Sequence, residues 1–189
     1  SVLSSSNGKY DFNPVKLDEG KNKFSEVLSN FDKNDFFIFG NENQTLLLGH
    51  KRLSIIDLSP ASNQPFFSNC GRYVMVYNGE LYNFKEIKEQ LQLQTRTTGD
   101  TEVILEAFIK IGTKSFELLN GMFAFIIYDT QEQKVIICRD RIGIKPLFYY
   151  YDGAQLAFSS EIKMLRALPD FNKEINYTSI PEFLHLGFI

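Results

Sequence analysis

The sequence predicts a domain built from antiparallel strands and helices rather than a helix bundle. Phe and Tyr account for 18 and 9 of the 189 residues, while Trp is absent, and aromatic residues favour β-strands. Short apolar runs occur in pairs on either side of turn residues, a pattern typical of β-hairpins. The length suits one domain, at roughly 100–200 residues per domain.

Predicted strands and helices follow one another along the chain. Apolar runs bounded by turn residues predict strands over 35–40, 45–50, 73–77, 122–128, 134–138, 147–151 and 155–159. Apolar residues at helical spacing predict helices over 21–31, 84–93, 102–111, 115–119 and 161–167, with a last helix beginning near Ser179. Asn83 is the expected cap of the helix at 84–93, and either Thr98 or Asp100 is expected to cap the next one.

Composition argues against several classes of partner. A formal net charge of −3 leaves no basic surface for nucleic acid. No apolar run reaches the ~20 residues of a membrane span, and no secretory signal opens the sequence. Cys70 and Cys138 fit no metal or redox spacing. We therefore expect no nucleic acid partner, no membrane partner and a cytoplasmic location.

One stretch organises the functional interpretation. The apolar run 73–77 leads directly into Asn78, Gly79 and Glu80, and it is typical of a strand buried on both faces. An Asn-Gly pair at the end of a strand predicts a tight turn with φ > 0. That turn is either an ordinary hairpin turn or one that faces a pocket. In a pocket, the Asn78 amide and the Gly79 N–H would converge on one oxygen atom as an oxyanion hole.

Two charged side chains complement this motif. Arg52 and Asp100 both lie at predicted junctions between strands and loops. A guanidinium binds an α-carboxylate through two hydrogen bonds, and a carboxylate pairs with an α-ammonium, so the pair suits an α-amino acid. The alternatives are a surface ion pair for Arg52 and a helix cap for Asp100.

Six segments, in one order along the chain, carry a family resemblance. They are residues 49–57, 77–83, 98–102, 120–125, 139–149 and 158–163. Together they resemble the glutaminase domain of the asparagine synthetase family, a class II glutamine amidotransferase. The resemblance implies the α+β N-terminal-nucleophile hydrolase fold, a four-layer αββα sandwich of two antiparallel sheets. It also implies that residues 1–189 form one glutamine amidotransferase type-2-like domain, cut before a C-terminal ATP-dependent synthetase domain, with 139–149 near the interface between the two.

The resemblance implies a glutamine pocket as well. In it Arg52 would bind the α-carboxylate and Asp100 the α-ammonium, while Asn78 and Gly79 would form the oxyanion hole. The pocket would be lined by Glu80 and by the backbone of Leu53, Ser54, Ile55 and Ile56. No cofactor is expected in this domain; ATP and Mg²⁺ are expected in the synthetase domain, which would receive the ammonia. Because the family often dimerises, a homodimer is a candidate assembly.

The sequence departs from the family at its first residue. The family's nucleophile is an N-terminal Cys whose own α-amino group acts as the base, whereas this sequence begins Ser1-Val2-Leu3. Ser1 stands in the register of the nucleophile and is a candidate catalytic residue, the alternative being simply the second residue of a chain that lost its initiator Met. The His-Arg-Gly-Pro-Asp loop of the family is also missing at 29–35. We therefore expect glutamine hydrolysis to be impaired or absent. The alternative functions are a catalytically inactive structural domain of an amide-forming synthetase and a glutamine-binding sensor.

Overall fold

A computed structural model describes residues 5–6, 9–10, 36–40, 45–50, 62–153, 155–168, 171 and 173–187. The predicted helix at 21–31 lies outside the described residues, and so do Ser1, Arg52 and the segment 53–56.

The centre of the fold is a four-stranded antiparallel sheet in the order β5-β6-β7-β8. Its strands are β5 (Phe66–Phe67), β6 (Tyr73–Leu81), β7 (Gly121–Asp129) and β8 (Lys134–Arg139). Strands β6 and β7 pair over their whole length, from Tyr73 opposite Asp129 to Leu81 opposite Gly121. Their aromatic and branched side chains suit a buried pleated surface. This long pair is the frame on which the site is built.

Three two-stranded hairpins complete the described strands. They are β1 (Ser5–Ser6) with β2 (Lys9–Tyr10), β3 (Phe36–Gly40) with β4 (Thr45–Gly49), and β9 (Phe148–Tyr151) with β10 (Leu156–Ser159). The last two confirm the hairpins predicted at 35–50 and 147–159, with ends that differ by one residue. Each of these strands is a short apolar run bounded by turn residues, the pattern from which it was predicted.

Helices cover one face of the central sheet. They are α1 (Phe84–Gln90) and α2 (Asp100–Ile111), and a 3₁₀ helix over Gly112–Leu118 follows directly. Alternate residues of β6 and β7 point to the same face and form the core with residues of α1 and α2. This core includes Met75, Tyr77, Leu81, Phe123, Phe125, Ile127, Ile87, Val103, Ile104, Leu105 and Ala107. Two short helices, α3 (Ile162–Arg166) and α4 (Ile180–Leu186), lie near the end of the chain. Across the described part of the chain, no helix has the length and hydropathy of a membrane span.

The turn predicted at Asn78-Gly79 is wrong. Strand β6 continues through both residues to Leu81, paired with β7 throughout, and Gly79 does not have a positive φ. Glycine is needed there because β7 approaches closely. A Cβ on Gly79 would lie 2.7 Å from the Phe123 Cα and would also overlap the Met122 carbonyl oxygen.

The predicted caps were only partly correct. Helix α2 begins at Asp100 with Gly99 as its N-cap, so neither Thr98 nor Asp100 caps it. Asn83 does occupy the N-cap position of α1, but its side chain makes no capping bond. Instead its Nδ2 donates to the Leu118 carbonyl at 2.9 Å, and its Oδ1 accepts from the Asn120 N–H at 3.0 Å. Asn83 therefore ties α1 to the segment that leads into β7.

Candidate active site

The Asp100 carboxylate is held against β6 by one of its two oxygens. The residue is 5% exposed. Its Oδ2 accepts from the Tyr77 hydroxyl at 2.7 Å and from the Leu81 backbone N–H at 2.9 Å. No residue in the described ranges donates to Oδ1. Among the described residues, Asp100 therefore has one carboxylate oxygen without a donor, at the first residue of α2.

The backbone of Tyr77 is bound by the Gln64 side chain, which makes the two hydrogen bonds that a neighbouring strand would make. The Gln64 Oε1 accepts from the Tyr77 N–H at 2.6 Å, and the Gln64 Nε2 donates to the Tyr77 carbonyl at 3.0 Å. Burial and the neighbouring Asp100 carboxylate raise the pKa of Tyr77, so its hydroxyl stays protonated and donates. Gln64 is 7% exposed. Gln64 was not predicted, because a side chain that pairs with backbone 13 residues away leaves no periodic pattern in the sequence.

The backbone of Gly79 points away from β7. The Phe123 carbonyl, opposite Gly79, accepts from the Asp140 N–H at 2.8 Å, and the Phe123 N–H donates to Asp140 Oδ2 at 3.1 Å. The backbone groups of Phe123 thus face β8, and Gly79 and Phe123 form a non-hydrogen-bonded pair. Since the polar groups of a strand alternate between its two edges, those of Gly79 point to the edge that faces β5.

Gly79 is the open position on that edge. Tyr77, two residues earlier, is bonded to Gln64, and the N–H of Leu81, two residues later, is bonded to Asp100. Between them, the Gly79 N–H has no acceptor among the residues that the structure describes. A backbone N–H without an acceptor among the described residues, two residues from the Leu81 N–H that binds Asp100, is suited to a polar ligand.

Asn78 and Glu80 lie beside this position, on the other face of β6 from the Tyr77 side chain. Both are half-buried. Within the described ranges, the Asn78 side-chain amide makes no hydrogen bond. The structure therefore brings together four of the predicted site residues: Asn78, Gly79, Glu80 and Asp100. Arg52, Leu53, Ser54, Ile55, Ile56 and Ser1 lie outside the described residues.

Glu102 positions the start of α2. It is fully buried and accepts from the Thr97 N–H at 2.7 Å, from the Thr97 hydroxyl at 2.8 Å and from the Arg96 Nε at 3.1 Å. Burial alone would raise the pKa of Glu102, but these donors lower it. The ionised carboxylate thus fixes the loop that ends at Asp100.

The two cysteines are placed elsewhere. Cys70 is exposed, with its Sγ 3.3 Å from the Ser68 Oγ. Cys138 is half-buried in β8, opposite Phe125, and burial raises the pKa of its thiol. A raised pKa leaves less of the nucleophilic thiolate at neutral pH.

Asp140 organises the loop that follows β8. Its carboxylate accepts from the N–H groups of Ile144 at 2.9 Å and Lys145 at 3.0 Å, besides that of Phe123. Burial alone would raise the pKa of Asp140, but these backbone donors lower it to about 2. Arg139 binds the same loop from the other side, donating to the carbonyls of Gly143 and Lys145, both at 2.7 Å. One carboxylate therefore holds both this loop and the β7 residue opposite Gly79.

The fold and this site define a class of protein. A family model described as a glutamine amidotransferase domain matches residues 28–189. The glutamine phosphoribosylpyrophosphate amidotransferase of B. subtilis is similar in structure, with a TM-score of 0.55 and 25% identity over 64% of this chain and 29% of that one. These comparisons confirm the α+β N-terminal-nucleophile hydrolase fold with two antiparallel sheets that the sequence predicted.

The chain belongs to the glutamine amidotransferase domains of the asparagine synthetase family, which confirms the predicted resemblance. It is 37% identical, over 97% of its length, to the "Putative asparagine synthetase [glutamine-hydrolyzing] 2" of Methanocaldococcus jannaschii. It is 33% identical, over 95% of its length, to the asparagine synthetase [glutamine-hydrolyzing] 3 of Bacillus subtilis. The chain spans 39% and 30% of these relatives, respectively.

Proposed function

We propose that this chain binds glutamine as the glutaminase-type domain of an asparagine-synthetase-like amidotransferase. In such a protein, the domain supplies ammonia for ATP-dependent amide formation. The observation that carries the proposal is that the Asp100 carboxylate binds β6 at Tyr77 and Leu81, on either side of Gly79. In the described part of the chain, one oxygen of this buried carboxylate has no donor and the Gly79 N–H has no acceptor. Family membership supports glutamine as the ligand.

Each group has a role in this proposal. Asp100 Oδ1 pairs with the α-ammonium of glutamine, and Arg52 binds the α-carboxylate. The Gly79 N–H and the Asn78 amide donate to the side-chain carbonyl oxygen, where negative charge develops if the amide is attacked. The pocket wall comprises Glu80 and the backbone of Leu53, Ser54, Ile55 and Ile56.

Hydrolysis needs a nucleophile as well as an oxyanion hole. In the N-terminal-nucleophile mechanism, the α-amino group of the nucleophilic residue acts as the base. Neither Cys70 nor Cys138 carries such an amine. Ser1 is the proposed nucleophile of these 189 residues, and a serine hydroxyl is a weaker nucleophile than a thiolate at neutral pH. We therefore expect glutamine binding with weak or absent turnover, and without turnover the domain would act as a glutamine sensor.

A second role, docking to a synthetase domain, is favoured by the loop after β8. Ile142 and Ile144 are 86% and 54% exposed, although Asp140 and Arg139 hold the loop that carries them in one conformation. Exposed apolar side chains that form a patch are typical of an interaction surface. The chain spans only 39% and 30% of two relatives, which supports a further domain as the partner. That domain would use the ATP and Mg²⁺.

Glutamine titration tests the binding proposal. The 189-residue protein, with its first residue confirmed by intact mass, is titrated with glutamine by calorimetry and assayed for glutamate release. Binding should occur, and any release should be lost in Ser1→Ala. Arg52→Ala should abolish the glutamine-induced rise in melting temperature, while Arg166→Ala, which removes an exposed guanidinium of α3, should not. Failure of the wild-type protein to bind glutamine would overturn the proposal.

The docking role has a separate test. In a protein that carries both domains, residues 139–149 should exchange their amide hydrogens more slowly than in the 189-residue chain. Equal exchange in the two proteins would overturn the interface. A homodimer and a cytoplasmic location stay predictions, to be checked by light scattering and by cell fractionation.

A further inference from the structure

We propose that Tyr77 is a positioning residue for the subsite that receives the α-ammonium group. Its hydroxyl fixes the Asp100 carboxylate so that Oδ1 alone faces the ligand. This inference rests on the proposed glutamine-binding function and assigns a role to a side chain within it.

The first observation is that both donors to Asp100 bind the same oxygen. The Tyr77 hydroxyl and the Leu81 N–H approach Oδ2 at 2.7 and 2.9 Å. A carboxylate bound by one donor can rotate about its side-chain bond, whereas two donors from different directions fix its plane. The Leu81 N–H belongs to a paired strand, so the tyrosine hydroxyl is the side-chain group that completes the constraint.

The second observation is that Tyr77 cannot easily move. Its backbone N–H and carbonyl are both bonded to the Gln64 amide, at 2.6 and 3.0 Å. Its ring lies in the core formed by β6 and the helices. The position of the Tyr77 hydroxyl relative to β6 is therefore fixed. The Asp100 carboxylate that it binds is held in place relative to the same strand, which also carries Gly79.

These contacts set the spacing between two parts of the ligand. The α-ammonium would meet Asp100, and the side-chain carbonyl would meet the Gly79 N–H, two residues from Tyr77 in the same strand. Removing the tyrosine hydroxyl should therefore weaken the recognition of the amino group and leave the recognition of the amide intact. If the hydroxyl served only packing, its removal would affect the recognition of the amino group and of the amide equally.

The variant Tyr77→Phe tests this with Tyr73→Phe as its matched control. Tyr73 lies on the same face of β6, and its ring packs edge-on against Phe108 with centroids 5.5 Å apart. Within the described ranges its hydroxyl makes no hydrogen bond. The two variants make the same chemical change in one strand, and only Tyr77→Phe removes a donor from Asp100.

NMR titration of the full 189-residue protein with two ligands gives the readout, because it measures Kd values into the millimolar range. The ligands are glutamine and 4-carbamoylbutanoate, which is glutamine without its α-amino group. Tyr77→Phe should weaken glutamine binding about 10-fold, as expected for the loss of a hydrogen bond to a charged group. The affinity for 4-carbamoylbutanoate should change less than 2-fold, and Tyr73→Phe should leave both affinities unchanged.

Every other outcome overturns the inference. Equal glutamine affinity in Tyr77→Phe and the wild-type protein would mean that the hydroxyl does not position Asp100. An equal loss for both ligands, or a Tyr77→Phe protein that does not fold, would assign the hydroxyl to the fold. If the wild-type protein binds no glutamine, the proposed function fails together with the inference. The two failures can be told apart. If only the inference fails, the wild-type protein binds glutamine and Tyr77→Phe binds it equally well.

Discussion

Replacing Asp100 by Asn should weaken glutamine binding strongly in a protein that still folds. Oδ2 takes both hydrogen bonds, from Tyr77 and Leu81. In Asp100→Asn, the amide oxygen can occupy the place of Oδ2 and accept both bonds. The amide NH₂ then replaces Oδ1 and presents donors where the α-ammonium of the ligand would lie.

The magnitudes follow from this geometry. A hydrogen bond to a charged group contributes about 1.5–3 kcal/mol and a neutral one about 0.5–1.5 kcal/mol, so two such changes should cost about 2 kcal/mol of stability. Loss of one partner of a buried charge pair costs about 2–5 kcal/mol of binding free energy. Glutamine affinity should therefore fall at least about 30-fold, in a protein that still folds.

Asp129→Asn is the matched control for Asp100→Asn. Asp129 is also buried, at 3% exposed, and its Oδ1 accepts from the Arg72 Nε at 2.9 Å. It lies opposite Tyr73, at the far end of the β6–β7 pair from Leu81. Urea unfolding and glutamine titration of both variants should show a stability loss in each and a binding loss only in Asp100→Asn. Unchanged glutamine affinity in Asp100→Asn would refute its assignment to the α-ammonium.

Three further predictions follow from other contacts. Gly79→Ala should lose roughly 1–3 kcal/mol of unfolding free energy, since its Cβ would lie 2.7 Å from the Phe123 Cα; a loss below about 0.5 kcal/mol in urea would contradict the close approach. Because the pKa of Asp140 is lowered to about 2, its contribution to stability should be full above pH ~4, the pKa range of an unfolded Asp. That contribution should be lost as the pH drops toward 2. In Asp140→Asn, the urea midpoint should therefore depend less on pH in this range. An unchanged pH dependence would contradict the hydrogen bonds that the backbone N–H groups donate to Asp140. Thiol reagents should modify the exposed Cys70 faster than Cys138, whose pKa is raised by burial. A variant that combines Cys70→Ser and Cys138→Ser should leave any glutamate release unchanged. A loss of release would contradict Ser1 as the nucleophile.

Local patterns predicted the elements of the fold better than their contacts. The strands at 122–128 and 134–138 were found within one residue at each end, because apolar runs and the turn residues that bound them are properties of neighbouring positions. The Asn78-Gly79 turn was wrong for the opposite reason. The glycine is required by a partner strand more than 40 residues away in sequence, and a glycine in a turn and one in a close strand pair look the same in a sequence.

The same difference between local sequence patterns and long-range contacts applies to the site residues. Asp100 was predicted as a ligand-binding residue or a helix cap, and the structure places it in the first turn of α2 with its carboxylate bonded to β6. It does not cap the helix, and its role in ligand binding stays a prediction. Its partner Tyr77 and the support from Gln64 and Glu102 were missed. Their roles depend on hydrogen bonds between side chains and backbone, which leave no spacing pattern in the chain.

The amide of Gly79 gives the most direct test of the central claim, that this edge of β6 receives glutamine. In ¹⁵N-labelled protein, the Gly79 signal is followed while glutamine is added to saturation. A hydrogen bond to the ligand carbonyl should make the Gly79 N–H one of the most strongly shifted amides and slow its hydrogen exchange. Saturable glutamine binding that leaves the Gly79 amide unshifted and exchanging as before would contradict the account.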